Sequence, residues 1–179
     1  LDHQETLGDS LEAIAEQKAG IFKAGKKAVI AKLAPEASLV CQKKAESLAV
    51  DLYQAGQDFS MLNGDFSSSL LNLSQLEIGL EGAYQQENAA LALQTFLLFM
   101  GEGKEVVDEQ AVRKALKQTH WAGRLERIRP QIYLDGAHNL PALTRLVEFI
   151  KEKEQEGYRP QILFGALKRK DYQGMLGYL

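Results

Sequence analysis

Residues 131–141 constrain this chain more than any other stretch: Gln131, Ile132, Tyr133, Leu134, Asp135, Gly136, Ala137, His138, Asn139, Leu140, Pro141. A short run of β-formers stops at an acid. A small-residue turn follows, and then a long amphipathic segment. The pattern predicts strand, tight turn and helix, with Asn139 as cap and Pro141 in the first turn, where a missing N–H costs nothing. In an open α/β sheet the carboxyl end of a strand is where ligands bind. Asp135 and His138 would stand there, beside a helix start whose free N–H groups favour anions. An Asp–Gly after a strand is also a common plain turn, so the stretch alone leaves both readings open.

Composition narrows the class. With 45% hydrophobic and 25% charged residues in 179, the chain is an ordinary globular one, long enough for one domain or parts of two. A net charge of −3 argues against a general nucleic-acid binder. No apolar run approaches the ~20 residues that cross a bilayer, so no membrane partner is expected. The start, Leu1-Asp2-His3-Gln4-Glu5, has neither the basic region nor the apolar core of a signal peptide, and no initiator Met, which points to a fragment. Cys41 stands alone, which rules out an internal disulfide and suits the cytoplasm.

Along the chain, residues 9–19 read as a helix capped by Asp9 or Ser10, with Leu11, Ile14 and Ala15 on its apolar face. Lys18 continues that face. Its ammonium can snorkel to water, or sit partly dry as a neutral nucleophile. Residues 27–31 and 50–53 read as strands around a helix from Pro35 to Ala49, with Leu39, Val40, Ala45 and Leu48 among its apolar positions; β-α-β order predicts parallel pairing. Residues 54–69 read as loop with some strand, and 70–80 as a hairpin turning near 72–75. Residues 82–100 form the strongest helix, apolar on more than one face and so expected to be buried. Asn88 near its start is either a cap or a group for a nucleobase edge. A helix follows from Asp108 to Lys117, with Val112, Ala115 and Leu116 inward. Then comes a linker anchored by Trp121, where Arg124 is either a solvated charge or a planar fork for phosphate, and His120 lies at the surface. After the central turn, residues 140–154 read as a helix, 161–164 as a strand and 172–179 as the start of a helix.

The sequence has no G-x-x-x-x-G-K-[ST], no G-x-G-x-x-G, no C-x-x-C and no H-E-x-x-H. The residues by themselves describe part of an α/β protein with a candidate anion site near Asp135.

Six stretches in order carry a resemblance: 1–8 (Leu1-Asp2-His3-Gln4-Glu5-Thr6-Leu7-Gly8), 14–23 (Ile14-Ala15-Glu16-Gln17-Lys18-Ala19-Gly20-Ile21-Phe22-Lys23), 82–92 with Asn88, Trp121-Ala122-Gly123-Arg124-Leu125-Glu126, Leu134-Asp135-Gly136-Ala137-His138-Asn139, and Phe164-Gly165-Ala166-Leu167. Together they make the chain similar to the folylpolyglutamate synthase/dihydrofolate synthase family of the Mur ligase superfamily. It departs at Gln17 (Glu is usual), Tyr84 (His), Ala122 (Pro), and Leu140, which separates Asn139 from Pro141.

The resemblance implies an α/β chain: the latter half of a P-loop-type ATPase domain (1–123) and the start of a Rossmann-like C-terminal domain (124–179). It implies an ATP-dependent ligase that phosphorylates a carboxylate of folate or dihydropteroate and couples it to L-glutamate, with ATP and Mg2+ as cofactors. Magnesium in such chemistry bridges phosphates, and positioning does most of the catalysis. By position His3 matches a metal ligand, Lys18 a carbamylated lysine, Asn88 the adenine side, Arg124 a phosphate-binding arginine, Asp135 the ribose-side acid, and His138 a histidine of the cleft. The full-length enzyme is expected to be a cytoplasmic monomer, and these 179 residues alone to be inactive for want of a phosphate loop. A Mur-type amino-acid ligase of cell-wall synthesis and a non-catalytic fragment are the alternatives.

Overall fold

A computed structural model of the chain describes residues 10–103, 106–167 and 172–179. The described residues fall into two compact units, one from residues up to Gly79 with Gln85–Thr119, the other from Leu80–Tyr84 with His120–Leu179.

The first unit begins with α1 (Leu11–Ala19), where the Ser10 side chain accepts a hydrogen bond from the Ala13 N–H at 3.1 Å. Strand β1 (Lys27–Ile30), helix α2 (Pro35–Ser47) and strand β2 (Asp51–Gln54) follow. The two strands pair in parallel, Lys27 opposite Asp51 and Ile30 opposite Gln54, as their β-α-β order predicts. Helix α1 packs on α2. The buried face of α2 is Ala37, Ser38, Cys41 and Ala45, not Leu39, which is half exposed. Short side chains let neighbouring elements approach this face closely, and Ser38 Oγ donates to Gln54 Oε1 on β2 at 2.9 Å. Cys41 is buried and its thiol is pushed up by that burial, with Glu16 adding to it, as befits a small hydrophobe.

The polar stretch after β2, expected as loop with some strand, supplies two strands of a three-stranded sheet. β3 (Phe59–Leu62) and β4 (Asp65–Ser68) form an antiparallel hairpin, and β5 (Asn72–Leu73) pairs with β4. The turn is Asn63–Gly64, with φ of 52° and 82°, the two left-handed corners that suit the twist of a two-residue hairpin. A Cβ on Gly64 would sit 2.7 Å from the Leu76 carbonyl oxygen. The hairpin expected within 70–80 is therefore displaced to 59–68. Alternation sets its inner face, Phe59 and Phe66, which meets Leu73, Leu76 and the Ala90, Leu93 and Leu97 side of α3 (Gln85–Gly103). α3 is buried on that side, yet Phe99 is 74% exposed. Gln94 lies in the interior with no hydrogen-bond partner for its side chain among the described residues. α4 (Glu109–Gln118) is capped by Asp108 and turns Val112 into the same core, while Ala115 stays exposed.

In the second unit β6 (Glu126–Arg129) and β7 (Ile132–Leu134) make an antiparallel hairpin, with a register shift between Arg127 and Arg129. Pro130 sets its first corner and Gln131 takes φ 64°. β6 was not apparent in the sequence. Its presence makes β7 the partner of an antiparallel neighbour, and no parallel strand flanks β7 among the described residues. α5 (Leu140–Gln155) packs Phe149 edge-on against Tyr133, ring centres 5.0 Å apart, and buries Leu143. α6 (Tyr172–Leu176) buries Met175. Residues 161–164 form no ladder, and Leu163 is fully exposed. An apolar run becomes a strand only where a neighbouring edge takes its N–H and C=O groups. Among the described residues no helix is long and apolar enough to cross a membrane.

Candidate functional site

The central turn folds as its sequence demands. Asn139 caps α5, its side-chain oxygen accepting from the Ala142 N–H at 2.9 Å. Asp135 directly follows β7 and spends both carboxylate oxygens on backbone amides: Oδ1 accepts from Ala137 N–H at 2.8 Å, an Asx-type turn, and Oδ2 from Leu125 N–H at 2.9 Å. The second bond reaches the Trp121–Glu126 segment. A third joins the same two segments, Gly136 N–H donating to the Gly123 carbonyl at 2.7 Å. Arg124 and Asp135, placed eleven positions apart in the chain, are thus set side by side at the backbone. The Arg124 side chain is exposed and makes no hydrogen bond or ion pair among the described residues. His138 is exposed too, with Nδ1 2.9 Å from the Gly136 carbonyl oxygen. If Nδ1 carries the proton it donates there, and Nε2 is left as an acceptor toward solvent.

Trp121 is no anchor: it is 66% exposed. Leu125 is the anchor, 1% exposed, close enough to Gly82 that a Cβ there would lie 2.9 Å from its methyl. Glu126 escaped notice in the sequence. Its Oε2 accepts from Gly123 N–H at 2.8 Å, and its Oε1 lies 3.2 Å from Nε2 of His120, a surface residue as expected. The acid two places after the arginine was the available signal, hidden because the short strand that holds it has a charged, exposed pattern.

The other candidates belong to the first unit. Lys18 is exposed on α1, where Ala15 and Ala19 are the buried positions. A partly dry amine is therefore not what the described residues give; the lysine flanks the buried stripe rather than continuing it. Asn88 is exposed as well, not buried, and its Nδ2 donates to Gln85 Oε1 at 2.8 Å. His3 lies outside the described residues. No three of His, Cys, Asp or Glu come together as a metal-ligand set among the described residues, so no metal geometry follows from them.

The chain is 34% identical to a folylpolyglutamate synthase from Lacticaseibacillus casei and 33% identical to a dihydrofolate synthase/folylpolyglutamate synthase from Bacillus subtilis, in each case over 98% of this chain. Over nearly its whole length the chain is similar to members of the folylpolyglutamate synthase/dihydrofolate synthase family. A solved folylpolyglutamate synthase in complex with AMPPCP and folate superposes with a TM-score of 0.86 at 33% identity, over 98% of this chain and 45% of that one. The α/β arrangement of both units is thus that of folylpolyglutamate synthase over the matched part. The chain spans 43% of the length of the two relatives named. No protein-family profile matches it.

Proposed function

We propose that the full-length protein is an ATP-dependent ligase that adds glutamate to a folate, and to dihydropteroate if both family activities coexist, through an acyl phosphate. The observation that carries this reading is the likeness across nearly the whole chain to a folylpolyglutamate synthase solved with AMPPCP and folate. ATP and Mg2+ are the proposed cofactors, and the cytoplasm is the proposed compartment. Residues 1–123 are assigned to the ATPase domain and 124–179 to the C-terminal domain. Arg124 is assigned to phosphate, Asp135 to the ribose side, Asn88 to the adenine side and His138 to the reacting cleft. Lys18 is the proposed carbamate. His3 is the proposed metal ligand. An exposed guanidinium on a backbone tied to the Asp135 turn supports the phosphate assignment, since a planar fork pairs with phosphate oxygens two at a time. The Lys18 assignment rests on its position in the matched stretch alone, since its side chain is exposed on α1.

The test is ADP release by the full-length protein with ATP, a reduced folate and glutamate. Release that needs both folate and glutamate is expected. Release that ignores folate but needs a cell-wall precursor would replace this reading with the Mur-type one. Arg124→Ala should raise the KM for ATP about 10- to 100-fold, the worth of hydrogen bonds to a charged group. The 179 residues alone are expected to show no turnover.

A further inference from the structure

We propose that Glu126 is a positioning residue for Arg124, forming with Asp135 a two-carboxylate clamp on the backbone that presents the guanidinium; this rests on the phosphate role of Arg124 just given. The backbone on either side of Arg124 is left-handed, with φ 69° at Gly123 and 46° at Leu125. A leucine seldom adopts that conformation, because its Cβ crowds the following carbonyl. Something must hold it, and each amide of the turn is held. Gly123 N–H goes to Glu126 Oε2 at 2.8 Å, Arg124 N–H to the Trp121 carbonyl at 3.3 Å, and Leu125 N–H to Asp135 Oδ2 at 2.9 Å. The buried Leu125 side chain fixes the far end. Each acid also keeps its second oxygen occupied, Glu126 with His120 and Asp135 with Ala137 N–H. The carboxylates therefore cannot turn away from the clamp without losing two contacts.

The side chain between these fixed points is the one that stays exposed. A cation carried on a pinned backbone loses less freedom when it meets an anion than one carried on a mobile loop, so the clamp lowers the cost of binding phosphate. Glu126 touches neither substrate nor reacting atoms in this scheme, and its effect passes through Arg124.

The experiment compares Glu126→Ala, Glu126→Gln, Arg124→Ala and the Arg124→Ala/Glu126→Ala double variant in the full-length enzyme. Glu126→Ala should raise the KM for ATP about tenfold with kcat little changed, one charge-assisted hydrogen bond's worth. Glu126→Gln keeps an acceptor oxygen and should recover most of the loss. The double variant should be no worse than Arg124→Ala, because residues acting through one another do not add. Gly123 amide exchange should quicken in Glu126→Ala. An unchanged KM, an unchanged Gly123 amide, or a double variant carrying the product of both losses would overturn the clamp. If Glu126→Ala does not fold, Glu126→Asp, whose carboxylate falls one methylene short of the Gly123 amide and should also raise the KM for ATP, decides by the same additivity, alone and in the Arg124→Ala background. Wild-type protein without ATP-dependent glutamate ligation would instead remove the ligase reading, which the variants do not touch.

Discussion

In the unit built on β1–β5, alternation decides what lies inside. Phe59 and Phe66 point to the core and Ser60 and Ser67 to water, and Leu73 closes the layer. In the unit that carries Arg124 and Asp135, alternation runs the other way. Ile132 and Leu134 stand half exposed, while Tyr133 between them turns in against Phe149. The ordering of its loop comes from side-chain carboxylates gripping backbone amides, not from a large apolar layer. A unit held by packing tolerates change at its polar surface. A unit held at its key turn by a few polar contacts concentrates its sensitivity there, and the proposed phosphate-binding arginine stands at that turn.

The sharpest way to break this contrast lies in the core of the first unit. Phe66→Ala removes a ring that is 2% exposed. It should cost about 3–5 kcal/mol, the range for deleting a buried aromatic. Gln94→Leu, in the interior of the same unit, should raise stability, because it replaces a buried amide that has no partner among the described residues. Urea unfolding of both variants measures the two shifts. A harmless Phe66→Ala would mean that packing does not dominate this unit, and a costly Gln94→Leu would mean that the amide is satisfied.

Next in size is Lys18→Ala, which separates the helix as scaffold from the helix as chemistry. Lys18 is exposed on α1, so its removal should leave the fold nearly untouched, within the ±0.5 kcal/mol of ordinary surface changes. If the lysine is carbamylated and acts electrostatically, activity of the full-length enzyme should fall about 100-fold or more, as when other preorganised charges are deleted. Small carboxylates should restore part of it. Wild-type turnover in Lys18→Ala would retire the carbamate and leave a solvated surface lysine.

How much of this was readable beforehand follows the same division. Helices announced themselves through caps and periodicity: Ser10, Asp108 and Asn139 all cap where the sequence placed them. The β1-α2-β2 unit was legible from its order. The Asn63–Gly64 hairpin was missed although its turn pair is a strong signal, because flanking serines made the strands look like loop. β6 was missed because Glu126, Arg127 and Arg129 carry no apolar pattern. Strand character there comes from pairing with β7, which the residues of β6 by themselves do not announce. At the site, Arg124 and Asp135 were nominated separately. Their juxtaposition depends on the Leu125 and Gly136 amides, and backbone donors leave no mark in residue identity.

The smallest effect expected is also the one that joins the two arguments. Asn139→Ala removes the side chain that accepts from Ala142 N–H, and Asp108→Ala removes one that accepts from both Gln110 and Ala111 N–H. Each should cost about 1 kcal/mol, the usual worth of an N-cap, with Asn139→Ser near neutral because serine caps as well. The consequences beyond stability should differ. Asp108 starts a helix, Glu109–Gln118, that carries none of the candidate residues, so its loss should leave ATP use unchanged. Asn139 ends the turn that begins at Asp135, and a frayed α5 start loosens the segment whose Gly136 N–H holds Gly123. Asn139→Ala should therefore raise the KM for ATP severalfold while Asp108→Ala does not, at matched loss of stability. Equal behaviour of the two caps would show that order at the α5 start is not transmitted to Arg124. The turn would then be a scaffold that merely lies next to the site.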